Sequence, residues 1–468
     1  MRAVLCLALA GSLSCTVGPD YERPSVPMPD GWRDGAATRG SLADLEWWKL
    51  FADPVLNQLV EGALRDNFDV RLALERVAEV RARLGFVKAD LYPRLDAGAA
   101  AGVVHDSRRS STLAPLIQNP DYQTWQIFGA LRWELDVFGR IRRATEAERA
   151  LVSAAEEDRR AVRITVIAEV GQAYLDVRDL DARVEIARGT VASRKGYVDM
   201  AKARFTGGKT SELDFRQAEA ELGRVESVLA QLEEQRSHRE NDLSLLLGRS
   251  PGIVTRGKSI REIPPPPEIP PGLPADLLER RPDIRSAEQQ LASATARIGE
   301  AKALMYPQFT LTGQAGYSST HLTGFLRSPS GFWELIGGVT APIWDWGKNR
   351  ARVEETEARM RQAVIQYERS IRQALKDVED ALVAYRKSVE RVESSGRRVT
   401  AQRSVLTLSE SRYRGGVSAY LEVLDAQREL FDAELQEATF VRDRLVAVVQ
   451  LYRALGGGWD APSSPAGP

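Results

Sequence analysis

The order of apolar and polar residues predicts helices of unusual length. Residues 139–205 contain no proline and are rich in Ala, Arg and Glu, which favour a helix. A helix over these 67 residues is about 100 Å long at 1.5 Å per residue. A Gly-Gly pair ends it, and Ser211 is the expected N-cap of a helix over residues 211–247. In that helix, apolar residues recur at spacings of four and three, which predicts a coiled-coil seam of Ala218, Leu222, Val225, Leu229 and Leu232.

The second half of the chain follows the same plan. A long helix is predicted at 347–413, then a second Gly-Gly break, then a helix from about 418 to 455. A further helix precedes each long one, at 54–88 and at 275–302. In each half, this helix and the helix after the glycines together match the length of the long helix. The lengths therefore predict two shorter helices stacked end to end, antiparallel to one long helix.

Matching motifs identify a tandem duplication. "RFTGGKTSELDFRQAEAEL" at 204–222 matches "RYRGGVSAYLEVLDAQREL" at 412–430, which lies 208 residues later. "GRIR" at 139–142 and "GKNR" at 347–350 are also 208 residues apart. "LYPRLDAGAAAG" from Leu91 and "MYPQFTLTGQAG" from Met305 are 214 apart, so an insertion of six residues lies between them. Such a period indicates two copies of one large unit and not a solenoid of short repeats.

Residues 122–138, "YQTWQIFGALRWELDVF", alternate with a period of two. One face carries three charged residues, and the other carries Trp125, Ile127, Gly129, Leu131, Trp133, Leu135 and Val137. A long strand of this pattern, bounded by aromatic residues, is typical of a transmembrane β-barrel. A half-buried strand of a soluble sandwich also alternates, but such strands are usually about five or six residues long. Partner strands are predicted at 92–104, 306–319 and 333–346, with hairpin loops at 106–120 and 320–331.

Four strands per chain are too few to close a membrane barrel, for which about eight is the smallest common number. An open sheet edge cannot exist in lipid, because its backbone groups would lack hydrogen-bond partners. The chain must therefore oligomerise through its strands. Three chains would give a 12-stranded barrel and a twelve-helix tube, although the pattern itself does not fix the number three. The predicted fold class is mainly α, with long helical hairpins forming an α-barrel and four strands contributing to a β-barrel.

Composition excludes several kinds of site. Lys and Arg number 64 against 65 Asp and Glu, so no basic surface for nucleic acid is expected. The three histidines (His105, His238 and His321) and the two cysteines are not clustered, so neither a metal site nor a cofactor is predicted. The sequence contains no nucleophile–base pair and no phosphate-binding loop, and an enzyme is therefore disfavoured.

The N-terminal sequence is typical of a targeting segment. "MRAVLCLALAGSLSC" has one Arg, a short apolar run and small residues before Cys15, which predicts a signal peptide over residues 1–14 and lipidation of Cys15. Ser12 stands where a lipoprotein signal usually has Leu, so an ordinary signal peptide with an incidental Cys stays as the alternative.

Several longer motifs together resemble one family. They are "CTVGPDYERP" from Cys15, "WWKLFADPVLNQLV" from Trp47, "RPDIRSAEQQLASATARIGEAKALMYPQF" from Arg281, "DWGKNR" from Asp345 and "YRGGVSAYLEVLDAQREL" from Tyr413. In order and in both copies, they resemble the TolC-like outer membrane factors, in the OprM/NodT lipoprotein branch. The resemblance implies a homotrimer anchored in outer membrane lipid that extends into the periplasm. It also implies a periplasmic adaptor and an inner-membrane transporter, most often of the resistance-nodulation-division type.

The resemblance further assigns a gate. It places the turns Gly207, Gly208, Gly415 and Gly416 at the periplasmic tip of the tube. Glu422 and Asp425 match a ring of carboxylates at the pore constriction, while Tyr413 and Asp214 match partners in a bond that holds the tip shut. Ser418 stands where one relative has a locking Arg. The alternative for the two acids is a solvated helix face.

The predicted domains are an N-terminal lipid-anchored extended segment at 15–53, repeat one at 54–248, a Pro-rich linker at 249–274, repeat two at 275–456 and a disordered tail at 457–468. The predicted function is an efflux duct for drugs or other small molecules. A channel for type I protein secretion and a soluble periplasmic coiled-coil protein are the alternatives.

Overall fold

The computed structural model describes residues 16–33, 46–105, 121–264 and 274–457. The predicted signal peptide, Cys15, the loop at 106–120, residues 265–273 of the Pro-rich linker and nearly all of the tail lie outside these residues. The helices are α1 (Trp47–Leu50), α2 (Pro54–Asp66), α3 (Phe68–Ala89), α4 (Arg140–Thr206), α5 (Glu212–Leu246), α6 (Leu277–Arg280), α7 (Pro282–Ala303), α8 (Lys348–Arg414) and α9 (Tyr420–Ala454). The strands are β1 (Arg94–His105), β2 (Asp121–Leu135), β3 (Gln308–Ser319) and β4 (Gly331–Thr340).

The two long helices are continuous, as the sequence predicts. α4 and α8 each contain 67 residues, and α5 and α9 each contain 35. The predicted seam residues of α5 lie in apolar clusters with α4 and α9. Val225 and Leu232 are buried beside Leu180 and Val184 of α4, and Phe431 of α9 closes the same cluster. The 4-3 spacing thus identified the buried side of α5.

Both shorter predicted helices are interrupted. The helix expected at 54–88 breaks at Asn67, whose side chain accepts hydrogen bonds from the Asp69 and Val70 amides (2.8 and 3.1 Å) and donates one to the Leu246 carbonyl (2.7 Å). Asn67 therefore caps a new helix and binds the end of α5. The helix expected at 275–302 breaks before Pro282, because proline has no amide hydrogen and disfavours a helical residue before it.

The described residues divide into two compact units, each of which combines segments of both repeats. The sheet unit lies within Met1–Ser25, Val77–Ala155 and Ser286–Tyr367, and the turn unit lies within Val26–Arg76, Glu156–Arg285 and Glu368–Pro468. Among the described helices, none is both long and apolar enough to cross a lipid bilayer.

The sheet unit contains an antiparallel sheet in the order β1-β2-β3-β4. β1 pairs with β2 so that Ala101 lies opposite Trp125, and β3 pairs with β4 so that Ala315 lies opposite Trp333. β4 ends at Thr340, six residues before the predicted end at 346. Pro342 explains the shorter strand, since it cannot donate to a ladder.

In the turn unit, the segment before α2 is fixed to α4. Asp53 is fully buried, caps α2 through the Val55 amide (2.9 Å) and accepts a hydrogen bond from the Tyr174 hydroxyl (2.6 Å). The Trp47 ring lies against Gly171, where an added Cβ would be 2.4 Å from the ring. Only glycine fits at that position of α4 without a shift of the indole.

Candidate functional site

The two Gly-Gly breaks form turns of one geometry. In the turn between α4 and α5, the Gly208 amide donates to the Phe205 carbonyl (2.9 Å) and the Lys209 amide donates to the Arg204 carbonyl (2.9 Å). In the turn between α8 and α9, Gly416 and Val417 make the equivalent bonds at 3.1 Å each. This is the Schellman pattern, in which the residue after the C-cap has a positive φ. Gly208 (φ +65°) and Gly416 (φ +75°) are those residues, whereas Gly207 and Gly415 do not have a positive φ.

The helix that follows each turn begins differently. Ser211 is the N-cap of α5, as predicted, and accepts a hydrogen bond from the Leu213 amide (3.1 Å). α9 begins at Tyr420 after Ala419, whose side chain cannot cap. The hydroxyls of Ser418 and Tyr420 are buried without a hydrogen-bond partner among the described residues. The Thr210 hydroxyl, at the place in the first turn that corresponds to Ser418, is also buried without a partner among these residues, so the two turns differ in the side-chain N-cap and in Tyr420.

Glu422 and Asp425 lie on one exposed face of α9. They are three residues apart, so their side chains are neighbours on the helix surface. The intervening Val423 and Leu424 are buried in the cluster that α4, α5 and α8 form with α9. The same packing that buries Val423 and Leu424 thus turns both carboxylates away from the core of their own chain.

The two carboxylates differ in their surroundings. Glu422 lies 3.6 Å from the Arg412 guanidinium, with both side chains about half exposed. An exposed pair of this kind contributes only about 0–1 kcal/mol. Asp425 has no ion pair or hydrogen bond among the described residues. No group of three or more His, Cys, Asp or Glu side chains in the described part of the chain is placed to hold a metal ion.

Tyr413 is buried beside the second turn. Its ring lies 5.6 Å from the Tyr420 ring, and the Arg204 guanidinium lies 4.8 Å from its centre. Burial raises the pKa of the Tyr413 hydroxyl; Arg204 opposes this shift and the Asp214 carboxylate adds to it. Asp214 is therefore close enough to act electrostatically on Tyr413. Among the described residues, no hydrogen bond joins the two side chains, so their bond remains a prediction for the assembled channel.

Sequence reasoning missed a buried charge cluster that lies two turns further along α5 and α9. The Glu221 side chain is 0% exposed and accepts hydrogen bonds from Arg224 (2.8 Å) and from Arg428 (2.7 Å). Arg194 of α4 approaches it to 3.9 Å. Burial alone would raise the pKa of Glu221, but the bonds from Arg224 and Arg428 outweigh burial and hold the pKa below its usual value. We call these four residues the Glu221 cluster; it ties α4, α5 and α9 together.

A second link joins the two long helices. The Tyr197 hydroxyl of α4 donates to the Glu410 carboxylate of α8. Burial, with a contribution from Glu410, raises the pKa of Tyr197 to about 12. The only sequence signal for the Glu221 cluster was the repeat itself, in which Glu221 and Glu429 occupy the same place. Nothing in the repeat shows that one of these two glutamates is buried.

Paired helices of 67 and 35 residues, with four strands that do not close on themselves, define the class of multisubunit channel proteins of the outer membrane. The chain belongs to the outer membrane efflux protein family, whose model matches residues 59–249 and 273–457. Channels of this family are trimers in which the strands of three chains form one barrel. The protein is thus a subunit of an outer membrane efflux channel.

Individual relatives match over almost the whole chain. Outer membrane protein OprJ of Pseudomonas aeruginosa is 37% identical over 464 residues, which cover 96% of this chain and 94% of that protein. The probable outer membrane lipoprotein SilC of Salmonella typhimurium is 33% identical, and the match covers 96% of each chain. The solved structure of the outer-membrane channel OprN superposes with a TM-score of 0.86 at 31% identity, covering 96% of this chain and 100% of that one.

Proposed function

We propose that this channel is the exit duct of a tripartite pump that expels drugs or other small molecules. Its expected partners are a periplasmic adaptor and an inner-membrane transporter of the resistance-nodulation-division type. The efflux family supports the role of a duct. The similarity to the solvent efflux pump outer membrane protein SrpC of Pseudomonas putida, which is 35% identical over 95% of this chain, supports a pump component over a secretion channel. The duct itself would be passive, and the inner-membrane transporter would supply the energy.

The proposed gate is the acidic face of α9 beside the second turn. The observation that carries it is the orientation of Glu422 and Asp425, which point away from the core while Val423 and Leu424 hold the helix in place. In a trimer, three copies of this face would bring six carboxylates near one axis. Their mutual repulsion favours a bound cation and would narrow the passage of anions.

The proposed anchor is an acyl group on Cys15. Small residues precede Cys15, and the chain is 33% identical to a probable outer membrane lipoprotein. Acylation would fix the segment from Thr16 onwards to the inner face of the outer membrane. The anchor would supplement the barrel, which spans the membrane without it.

Chemical cross-linking in native cells tests the proposed partners. The full chain with a C-terminal tag is cross-linked, purified and analysed by mass spectrometry. Recovery of an adaptor and a resistance-nodulation-division transporter is the expected result. Recovery of a transporter with an ATP-binding domain would instead assign the channel to type I secretion.

The anchor and the duct are separate proposals. A channel whose Cys15 carries no lipid would leave the duct proposal intact and remove only the anchor.

A further inference from the structure

The sheet has two unpaired edges, and both are apolar. β1 forms one edge of the order β1-β2-β3-β4 and exposes Leu95 and Val103, at 76% and 78%. β4 forms the other edge and exposes Leu335 and Val339, at 60% and 63%. Unpaired backbone groups at these edges would each cost several kcal/mol in lipid. Each edge therefore requires a partner strand.

The duplication relates the two hairpins by a fixed rule. β1 corresponds to β3 with an offset of 214 residues, and β2 corresponds to β4 with an offset of 208, as the sequence motifs indicate. Applied to the pair Ala101 and Trp125, these offsets give Ala315 and Trp333, which are paired in the structure. The register of the β1–β2 hairpin, shifted by these offsets, therefore predicts the observed register of the β3–β4 hairpin.

The same two offsets also predict how the edge strands β1 and β4 pair. Within the chain, β2 pairs with β3 so that Leu131 lies opposite Gly313 and Ile127 lies opposite Tyr317. The corresponding partners are β4 and β1, which are the two edges and do not meet in one chain. We propose that β4 pairs antiparallel with β1 of a second copy in this transferred register. Val339 would lie opposite Ala99 of the partner subunit, and Leu335 would lie opposite Val103 of the partner subunit.

Aromatic residues at the ends of the strands support the same pairing. After β2, Phe138 stacks on Tyr306, which precedes β3, with ring centres 4.8 Å apart. The corresponding residues are Trp346, after β4, and Tyr92, before β1. Both are exposed within the chain, at 89% and 63%. In the proposed pairing, Trp346 packs on Tyr92 of the partner subunit and covers both rings.

The backbone hydrogen-bond ladder between β4 and the partner's β1 is expected to end near Thr340. The transferred register would continue past Thr340, but Pro342 cannot donate a backbone hydrogen bond. The shared ladder is therefore expected from Trp333 to Thr340 of β4. What is new is the residue-by-residue register of the subunit contact in this channel. It is independent of the proposed gate and pump partners, because it concerns only assembly of the sheet.

Four double-cysteine variants of the full chain test the register. Two place cysteines opposite each other: Val339→Cys with Ala99→Cys, and Leu335→Cys with Val103→Cys. The other two exchange the partners, Val339→Cys with Val103→Cys and Leu335→Cys with Ala99→Cys, and so lie four residues out of register. Each cysteine thus appears in one matched and one mismatched variant. A four-residue mismatch separates the Cα atoms by about 13 Å along the strand, whereas a disulfide requires less than about 7 Å.

The channel is extracted in detergent, oxidised and run on a denaturing gel without reductant. The unsubstituted chain sets the background from any Cys15 thiol that is not acylated. In the matched variants, most of the protein is expected to form covalent dimers and trimers. The yield of these cross-linked species is expected to be at least tenfold higher than in the mismatched variants. Cross-linking of the mismatched pairs, equal cross-linking of all four, or none in protein that is oligomeric by light scattering would each overturn the register.

Discussion

The Glu221 carboxylate and the Arg428 guanidinium are joined at 2.7 Å across two helices that belong to different repeats. Glu221 lies on α5 of the first repeat, and Arg428 lies on α9 of the second. The pair is stronger than a surface ion pair because Glu221 is wholly buried and Arg224 also binds it. The pair therefore holds the two helical hairpins together close to the proposed gate.

Glu221→Ala is expected to destabilise the folded channel by about 3–5 kcal/mol, because it leaves the buried Arg194 without its counter-charge and removes the bonds from Arg224 and Arg428. The matched control is Glu429→Ala, which removes the corresponding carboxylate of the second repeat. Glu429 is 55% exposed and pairs with Arg398, so its loss is expected to cost about 0–1 kcal/mol. Irreversible thermal inactivation rates of both variants measure the difference. Equal rates would contradict a structural role for the Glu221 cluster.

The same cluster predicts a dependence on pH. Since the pKa of Glu221 is held below its usual value, the unfolded chain binds the proton more readily than the folded one. The stabilisation is fully present above the ordinary Glu pKa of about 4.3 and is lost as the pH falls towards the lower folded value. Glu221→Gln should therefore reduce the acid-induced loss of stability relative to the unsubstituted channel. Thermal scans between neutral pH and about pH 3 test this, with Glu429→Gln as the control; identical acid profiles would exclude the linkage.

Replacement of Glu422 and Asp425 by alanine is expected to weaken block by divalent cations by about tenfold or more and to reduce cation selectivity. The reason is that the three-fold axis would lose six carboxylates that a cation can bridge. Single-channel recording in a planar bilayer with added Mg²⁺ measures both quantities. Glu212→Ala with Glu219→Ala is the control, since it removes equal charge from the exposed start of α5. Unchanged block and selectivity in the gate variant would place the two acids on an ordinary solvated face.

Tyr413→Phe is expected to raise the open probability and to leave ion selectivity unchanged. The substitution keeps the ring packed against Tyr420 and removes the hydroxyl that the assembled channel would use to bind Asp214. Asp214→Asn should have a similar effect, since it weakens the same bond from the other side. Single-channel recording separates this result from that of the double alanine variant. A wild-type open probability in both variants would show that the pair takes no part in closure.

Gly416→Ala is expected to destabilise the second turn by about 1–2 kcal/mol, because an L side chain disfavours the left-handed region. Gly416 has φ +75° and open space around it, so the backbone and not a steric clash sets the cost. Gly415→Ala is the matched control, since its Cβ would be 3.4 Å from the Ser411 carbonyl, an ordinary contact. Hydrogen exchange of the amides around residues 411–420 compares the two variants. Equal exchange would show that the turn does not depend on the second glycine.

Cys15→Ser is expected to abolish the acyl group and to leave the channel in the outer membrane, because the strands span the membrane without it. Mass spectrometry of the mature N-terminus and membrane fractionation measure the two effects. An unmodified Cys15 in the parent protein would refute the anchor. Loss of the variant from the outer membrane would show that the anchor is needed for localisation.

The sequence by itself determined the features that depend on local periodicity. The proline-free stretches and the Gly-Gly pairs fixed the long helices and their turns, because helix propensity and positive φ are properties of single residues and near neighbours. The alternation in β2 indicated a long strand, and the duplication indicated that the second half of the chain repeats the plan of the first. The proposed gate residues came from the family resemblance and not from periodicity.

Only the tertiary structure decided which polar residues are buried and what they bind. Glu221 and Glu429 occupy the same place in the two repeats, yet Glu221 is enclosed by α4, α5 and α9 while Glu429 faces solvent. The break at Asn67 likewise depends on its bond to the Leu246 carbonyl, which lies 179 residues away. Burial and long-range hydrogen bonding are set by which helices meet across the fold, and a local pattern carries no record of those neighbours.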